Sequence, residues 1–506
     1  MSEEKLPEFK GLRAVFWPIH NFELKKFLPM GLIMFCMLFN YSTLRTLKDS
    51  FVVTTCGAEV ISALKMWFVL PSALLFVMLY AKLANALSKT SLFYAIFSIF
   101  LGFLACFVLF LYPNRDVLHP DLSDAIESLP SLKWIFLSIQ NWTFSLFYIM
   151  AELWGSVVLT LMFWQFANDV TSVKEAKRFY SMFGIIGNFG LITSGHLTQV
   201  FTKIGETTAE GVDVWSTTIN WLVGAMLVSG VCALFLYSWI QGNVLTDPRL
   251  HNPGDVGKPK KKKEKLSISE SFKYILSSKY IGFIALLPLC YGISINLVEG
   301  AWKSQVRSAF PTANGYASFM GSFQIWMGSA SVFCMFIGAN ILRKFKWHTA
   351  AVITPWMILG TGALFFAFMI FNESLDPLMS AIGTTALMMA VVIGQIQNVL
   401  SKATKYSLYD STTQMTYIPL DEELKVKGKA AVDVIGGRMG KSGGALIQWA
   451  LLACVPGSTL VSIAPTTFVV FLVIMVLWFW AASGLGKEFE SLTKSAESES
   501  KKTVKA

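Results

Sequence analysis

Apolar residues run through the chain in twelve long blocks, each set off by a polar interval. The blocks lie near 27–48, 60–81, 91–112, 142–167, 179–202, 216–241, 279–300, 315–342, 349–371, 377–400, 430–454 and 459–485. A helix needs about 20 such residues to cross a hydrocarbon core of about 30 Å. Barrel strands would be about ten residues long and would alternate. The pattern therefore predicts an all-α membrane protein with twelve transmembrane helices. The fourth and tenth blocks are hardest to bound, because apolar character runs on from Trp134 and through Tyr409.

The polar intervals divide the chain. Residues 1–242 form an N-terminal six-helix half. Residues 243–278 form a basic linker, with the breaker Asn252-Pro253-Gly254 and then the run Lys258 to Lys265. Residues 279–506 form a C-terminal six-helix half with a tail. Gly184, Gly187 and Gly190 match Gly437, Gly440 and Gly443 at a constant offset, and Lys48 matches Lys303 at nearly the same one. An even number of spans per half gives both halves one orientation, which is the parallel repeat of major-facilitator-like carriers. Gly184, Gly187, Asn188, Gly437 and Gly440 are expected at helix seams that pack closely and slide, since small residues let backbones approach in lipid.

Composition agrees with the pattern. Of 506 residues 54% are hydrophobic and only 15% charged, against roughly 25% charged in globular domains. That excludes a disordered chain and argues against a soluble enzyme. The net charge of +10 is unevenly placed. If sides alternate from the N-terminus, 32 of the 42 cations fall on the first side and only Arg115, Lys133, Lys203 and Arg307 on the second. The excess of Lys and Arg marks the cytoplasmic side, so both termini are expected in the cytoplasm. The 401–429 segment, with Lys402 and Lys405, is counted there. Pro18 and the acidic Met1-Ser2-Glu3-Glu4 opening fit neither a signal peptide nor a transit peptide. Seven cysteines without a CxxC pair indicate no disulfide framework and no metal site. The basic run has no interleaved aromatics, so it suits solvent or anionic lipid rather than nucleic acid.

Six cations remain within or at the ends of spans: Arg45, Lys48, Lys65, Lys303, Arg438 and Lys441. The embedded acids are Glu152, Glu299 and Asp433, with Asp49 at a span end. Buried charge is costly and marks partners or a substrate path. Lys65, near a span start, reads as structural, through ion pairing and snorkelling at a helix end. Lys48, Lys303, Arg438 and Lys441 are the candidate phosphate ligands, because arginine binds phosphate bidentately and lysine as a point charge. Asn296, Glu299 and Lys303 recur along one helix face, and Glu299 and Lys303 also suit a structural i,i+4 pair. Glu152 follows Tyr148 and Phe144 on one face, where the rings offer a base a stacking surface. The acids would balance the cations or bind base and ribose. Gly436 to Ser442 is not a phosphate loop: Ile435 stands where its first glycine belongs, and the segment is apolar.

These residues resemble the nucleotide transporter family, the ATP/ADP translocases of obligate intracellular bacteria and plastids. The resemblance runs from Trp17-Pro18-Ile19 to Gly484-Leu485-Gly486-Lys487. It is carried by Asn40 to Arg45, Ala151-Glu152-Leu153-Trp154-Gly155, Glu175 to Tyr180, Asn296 to Gly300, Lys427 to Ala431 and Gly440 to Gly444. It implies a transporter rather than an enzyme, with no cofactor. It would exchange external host ATP for internal ADP by alternating access, as a monomer in a bacterial inner membrane. Positions matching Lys48, Glu152, Glu299 and Lys441 are those the family associates with transport. The first span departs from the family pattern, reading Arg45-Thr46-Leu47-Lys48-Asp49 where an acid often follows the arginine. Arg45 is thereby left without an obvious partner. The alternative is a proton-coupled nucleotide or organic-phosphate symporter. The topology predicts that a fluorescent protein fused to the C-terminus fluoresces, while a phosphatase active only outside the cytoplasm stays silent there. The reverse pattern would invert the orientation.

Overall fold

A computed structural model gives the architecture; it describes residues 13, 17–207, 213–248, 250, 278–420, 428–429, 432 and 439–503. The described chain is helical throughout its regular segments. In order these are α1 (Leu24–Cys56), α2 (Val60–Ala86), α3 (Lys89–Leu111), α4 (Trp142–Val170), α5 (Val173–Glu206) and α6 (Val214–Asn243). There follow α7 (Lys279–Ala309), α8 (Ala313–Lys344), α9 (Trp347–Ile370), α10 (Ala386–Met415), α11 (Gly440–Cys454) and α12 (Ala464–Thr503). Ten of these are long and apolar enough to cross a membrane. The other two are α5, long but rich in polar and small residues, and α11, whose apolar part is short. Most of the 243–278 linker, and Asp433, Gly437 and Arg438, lie outside the described residues.

Start signals are written into the chain. Ser88, Ser278, Thr312 and Thr385 each accept a bond from the backbone N–H three residues on, capping α3, α7, α8 and α10. Ser172 and Glu175 form a reciprocal capping box at α5. Asp213 caps α6 through the Trp215 N–H. The α1–α2 turn rests on Gly57, whose φ of +100° is a left-handed conformation that favours glycine.

Several boundaries differ from the hydropathy reading, three of them instructively. α1 runs to Cys56 and α7 to Ala309, beyond the expected ends near 48 and 300. The tenth span begins at Ala386 rather than 377. A separate short helix, Asn372–Ser380, precedes it, and the chain then turns at Gly383, with φ +79°. Asp376 accepts from the Ala386 N–H at 2.9 Å and fixes that restart. For α1 and α7 the charges that end the apolar blocks, Lys48, Asp49 and Lys303, are paired inside the protein; for the tenth span the first apolar residues belong to the short helix and the turn instead.

The two groups of six helices pack alike. α1 is central to the first, against α4, α5 and α6; α7 holds the same place in the second, against α10, α11 and α12. Gly187 lies against Met34 and Leu38, and Gly190 against the Phe35 carbonyl, seating α5 on α1. Gly440 lies against the Pro288 carbonyl and Gly444 against Ile293, seating α11 on α7. The groups meet along α5 and α8, where Gly195 opposes Gly321 and Gly328 opposes the Asn188 carbonyl. Gly184 faces Met335 of α8 more loosely. On the first group's side, Lys26 is bonded to Glu175 at 2.8 Å and Arg178 to the Pro18 carbonyl at 2.7 Å, tying the starts of α1 and α5.

A Cβ at Gly195 would sit 2.4 Å from the Gly321 carbonyl, whereas one at Gly224 meets nothing within 4 Å. Gly195→Val is therefore expected to destabilise by about 1–3 kcal/mol through overpacking, and Gly224→Val much less. Melting curves in detergent check this; equal midpoints would remove the α5–α8 seam from the list of tight contacts.

Candidate functional site

Where α1, α4 and α7 converge, charge is concentrated deep between the groups. Because α1 continues past Lys48, both Lys48 and Asp49 lie within the helix, 3% and 0% exposed. Asp49, expected at a span end, is instead the hub. Its Oδ1 is 3.1 Å from Lys48 Nζ and its Oδ2 is 2.9 Å from Lys303 Nζ on α7. Lys48 also reaches Glu152 Oε1 of α4 at 2.9 Å and sits 3.7 Å over the Tyr148 ring. Lysine buried this deeply needs such partners, since an unpaired ammonium loses its hydration.

The polar stripe of α7 faces the first group at every step. Asn296 Oδ1 accepts from Lys65 Nζ at 2.7 Å. Glu299 Oε1 lies 3.6 Å from Arg45 Nη2 and 3.2 Å from Lys303 Nζ. So Arg45, left unpaired in the sequence pattern, finds its acid on α7. Lys65 does not snorkel; it sits in a π-helical stretch, Leu64–Val69, and links α2 to α7. Such local widenings recur at functional sites in helices.

Lys402 joins the site against expectation. The charge count placed it in a cytoplasmic segment, but α10 continues to Met415 and carries it inward. Its Nζ is 3.9 Å from Glu299 Oε1 and 5.1 Å from the Phe323 ring centre. The signal that could have found it is the helical continuation through Tyr409. Lys405, one turn on, is paired with Asp410 at 2.9 Å.

Two expectations for aromatic stacking need correction. Phe144 is 6% exposed and stacks on Phe51 at 5.1 Å in the packed interior of the first group, so its face is taken. Tyr148 is fully buried, and Lys48 occupies its face. Both rings build the wall behind the site rather than an open stacking surface. Of the C-terminal candidates, α11 carries Lys441 on its first turn, but its side chain, like Arg438 and Gly437, is outside the described residues. Counting the described groups, Arg45, Lys48, Lys65, Lys303 and Lys402 face Asp49, Glu152 and Glu299. By formal charge the centre carries two more cations than acids.

Away from this centre, described polar contacts between the groups lie at the end opposite the start of α1. Asn314 of α8 donates to the Thr202 carbonyl at 3.1 Å and accepts from Thr218 at 2.8 Å. Glu59 accepts from the Leu460 N–H at 3.1 Å.

Two six-helix groups clasped around a buried charge centre define a multi-pass membrane transporter of the major-facilitator-like fold. The whole-chain shape agrees. A bacterial homologue of the iron transporter ferroportin superposes with a TM-score of 0.57 at 12% identity, covering 92% of this chain and all of the other. A D-xylose-proton symporter does so at 0.55 and 11%, covering 90% and 96%. Sequence is more specific. The profile of the TLC ATP/ADP transporter family matches residues 2–489. ADP,ATP carrier protein 1 of Chlamydia muridarum is 49% identical over 99% of this chain and 95% of its own length. Its counterpart in Rickettsia bellii is 49% identical over 96% and 97%. The chain belongs to the TLC ATP/ADP transporter family.

Asp49→Asn leaves two buried lysines without their shared acid and is expected to cost about 3–5 kcal/mol. Asp169→Asn breaks the exposed Lys89–Asp169 pair, with side chains 72% and 40% exposed, and should cost under about 1 kcal/mol. Thermal midpoints of the two variants in detergent test the ranking; a reversed order would remove Asp49 from the hub.

Proposed function

We propose that this protein exchanges external ATP for internal ADP, with the nucleotide phosphates seated on the charge centre between the two groups. One observation carries the seat: five embedded cations answer three carboxylates where α1, α2, α4, α7 and α10 meet. A nucleotide polyphosphate is the ligand class that such a surplus suits. Lys48 and Lys303 are the described phosphate ligands in this reading, with Arg438 and Lys441 as further ones from α11. Glu152, with a third of its side chain exposed, and Glu299 hold the cations when no substrate is bound. Asn296 positions Lys65. Family membership supports the exchange reading over the proton-coupled symporter and supports a carrier rather than an enzyme.

Exchange follows from electrostatics. Closing the centre away from water strengthens repulsion among the surplus cations. A bound polyphosphate cancels it, so the loaded carrier reorients more readily than the empty one. ATP carries about one negative charge more than ADP, so each exchange moves charge across the membrane. The carrier works as a monomer, with both termini and the basic linker on the cytoplasmic face of a bacterial inner membrane, where the linker touches anionic lipid.

In proteoliposomes preloaded with labelled ADP, external ATP is expected to speed efflux about tenfold or more. Equal efflux with and without external nucleotide overturns obligatory exchange. Lys48→Ala and Lys441→Ala should each raise the KM for ATP about tenfold or more, the weight of a charge-assisted bond. A KM unchanged from wild type in a folded variant would return that residue to a structural role.

A further inference from the structure

The cations of the centre are not equivalent. Lys48 and Lys303 each hold two carboxylates at 2.9–3.2 Å, and Lys65 holds an amide oxygen at 2.7 Å. Arg45 is 3.6 Å from Glu299. Lys402 differs. Its Nζ is buried and has no hydrogen-bond acceptor among the described residues. The nearest carboxylate oxygen is Glu299 Oε1, at 3.9 Å, and Lys303 and Arg45 both lie nearer to that same atom. One oxygen cannot bond three cations well, and Lys402 is the outermost claimant.

The surroundings repeat the imbalance. Asn398, one turn earlier on α10, is fully buried. Its Nδ2 donates to the Gly394 carbonyl at 2.9 Å, while its Oδ1 is unpartnered among the described residues. Positions four apart on a helix share a face. The ring of Phe323 closes the other side of the ammonium at 5.1 Å and gives it only a cation–π contact, much weaker than an anionic acceptor. A buried ammonium in this position is stabilised only when an anion reaches it.

We infer that Lys402 is a direct ligand of the transported nucleotide's phosphate chain, the contact that the C-terminal group's α10 contributes. This rests on the reading of the charge centre as the phosphate seat. Substrate phosphate oxygens supply the acceptor that Glu299 gives too distantly. Lys402 therefore has no hydrogen-bonded acid to surrender when substrate arrives, only the distant Glu299, unlike Lys48 and Lys303.

A binding role and a structural role differ in sign for the empty protein. Lys402→Met removes a poorly paired buried charge and keeps the side-chain length. The nucleotide-free variant is thus expected to melt at or above the wild-type temperature. Its affinity for ATP and ADP, read from ligand-induced shifts in melting and from the KM of counter-exchange, is expected to fall about tenfold or more. Lys402→Arg, which keeps the charge, should retain affinity within about threefold. If the methionine variant does not fold, Lys402→Gln gives the same readings. Nucleotide affinity unchanged in Lys402→Met, with a lower melting temperature of the free protein, overturns the inference and makes Lys402 the counter-ion of Glu299. Failure of the wild-type protein to bind ATP would instead overturn the phosphate seat itself.

Discussion

Burying charge in a membrane protein is the constraint on which this fold turns. Lys48 and Lys303, on the central helices of the two groups, share one carboxylate, Asp49. Each lysine has a second acid, Glu152 for Lys48 and Glu299 for Lys303, but Asp49 is the one that ties the two together. The lengths of α1 and α7 follow, because both helices must continue past the charged turn to place those groups between the halves. The wall of Phe51, Phe144, Phe147 and Tyr148 follows as well, since it excludes water from one side of the cluster.

The centre is therefore strong and incomplete together. Its pairs are short enough to hold the groups in register, yet the described charges do not cancel. That combination suits a carrier better than either extreme. A neutral network would give a polyanion no reason to enter, and an uncompensated one would not fold in lipid. In the proposed reading, binding here replaces contacts between protein groups with contacts to substrate, so affinity stays moderate and release remains possible.

Much of this was legible in the chain. Helix order followed from the apolar blocks, with ten of the twelve expected spans long and apolar enough to cross a membrane, and Asn296, Glu299 and Lys303 of α7 do lie together against the first group. The glycines expected at close seams do lie at them where described, Gly187 against α1 and Gly440 against α7, though the sequence did not name the partner helices. What escaped had a common cause. Hydropathy counts a charge as an exit from the membrane, whether or not a partner waits on another helix. Asp49 was thus placed at a helix end, Lys402 in a loop and Lys65 at an interface. Their partners are Lys303, Glu299 and Asn296, each far off in sequence. Phe144 was misread for the converse reason: helical spacing gives a ring's face but not whether Phe51 already covers it.

The pairings also sort by ownership. Lys48, Asp49 and Glu152 all belong to the first group, and Glu299, Lys303 and Lys402 to the second. Asp49–Lys303, Arg45–Glu299 and Lys65–Asn296 are the links at this centre that cross from one to the other. In the proposed exchange cycle, with the groups rotating about the glycine seam of α5 and α8, bonds within a group travel with it intact, and only the crossing links are stretched. The centre thus behaves as a latch with three bolts. Two of those bolts are held by carboxylates, for which a phosphate chain is a direct chemical competitor.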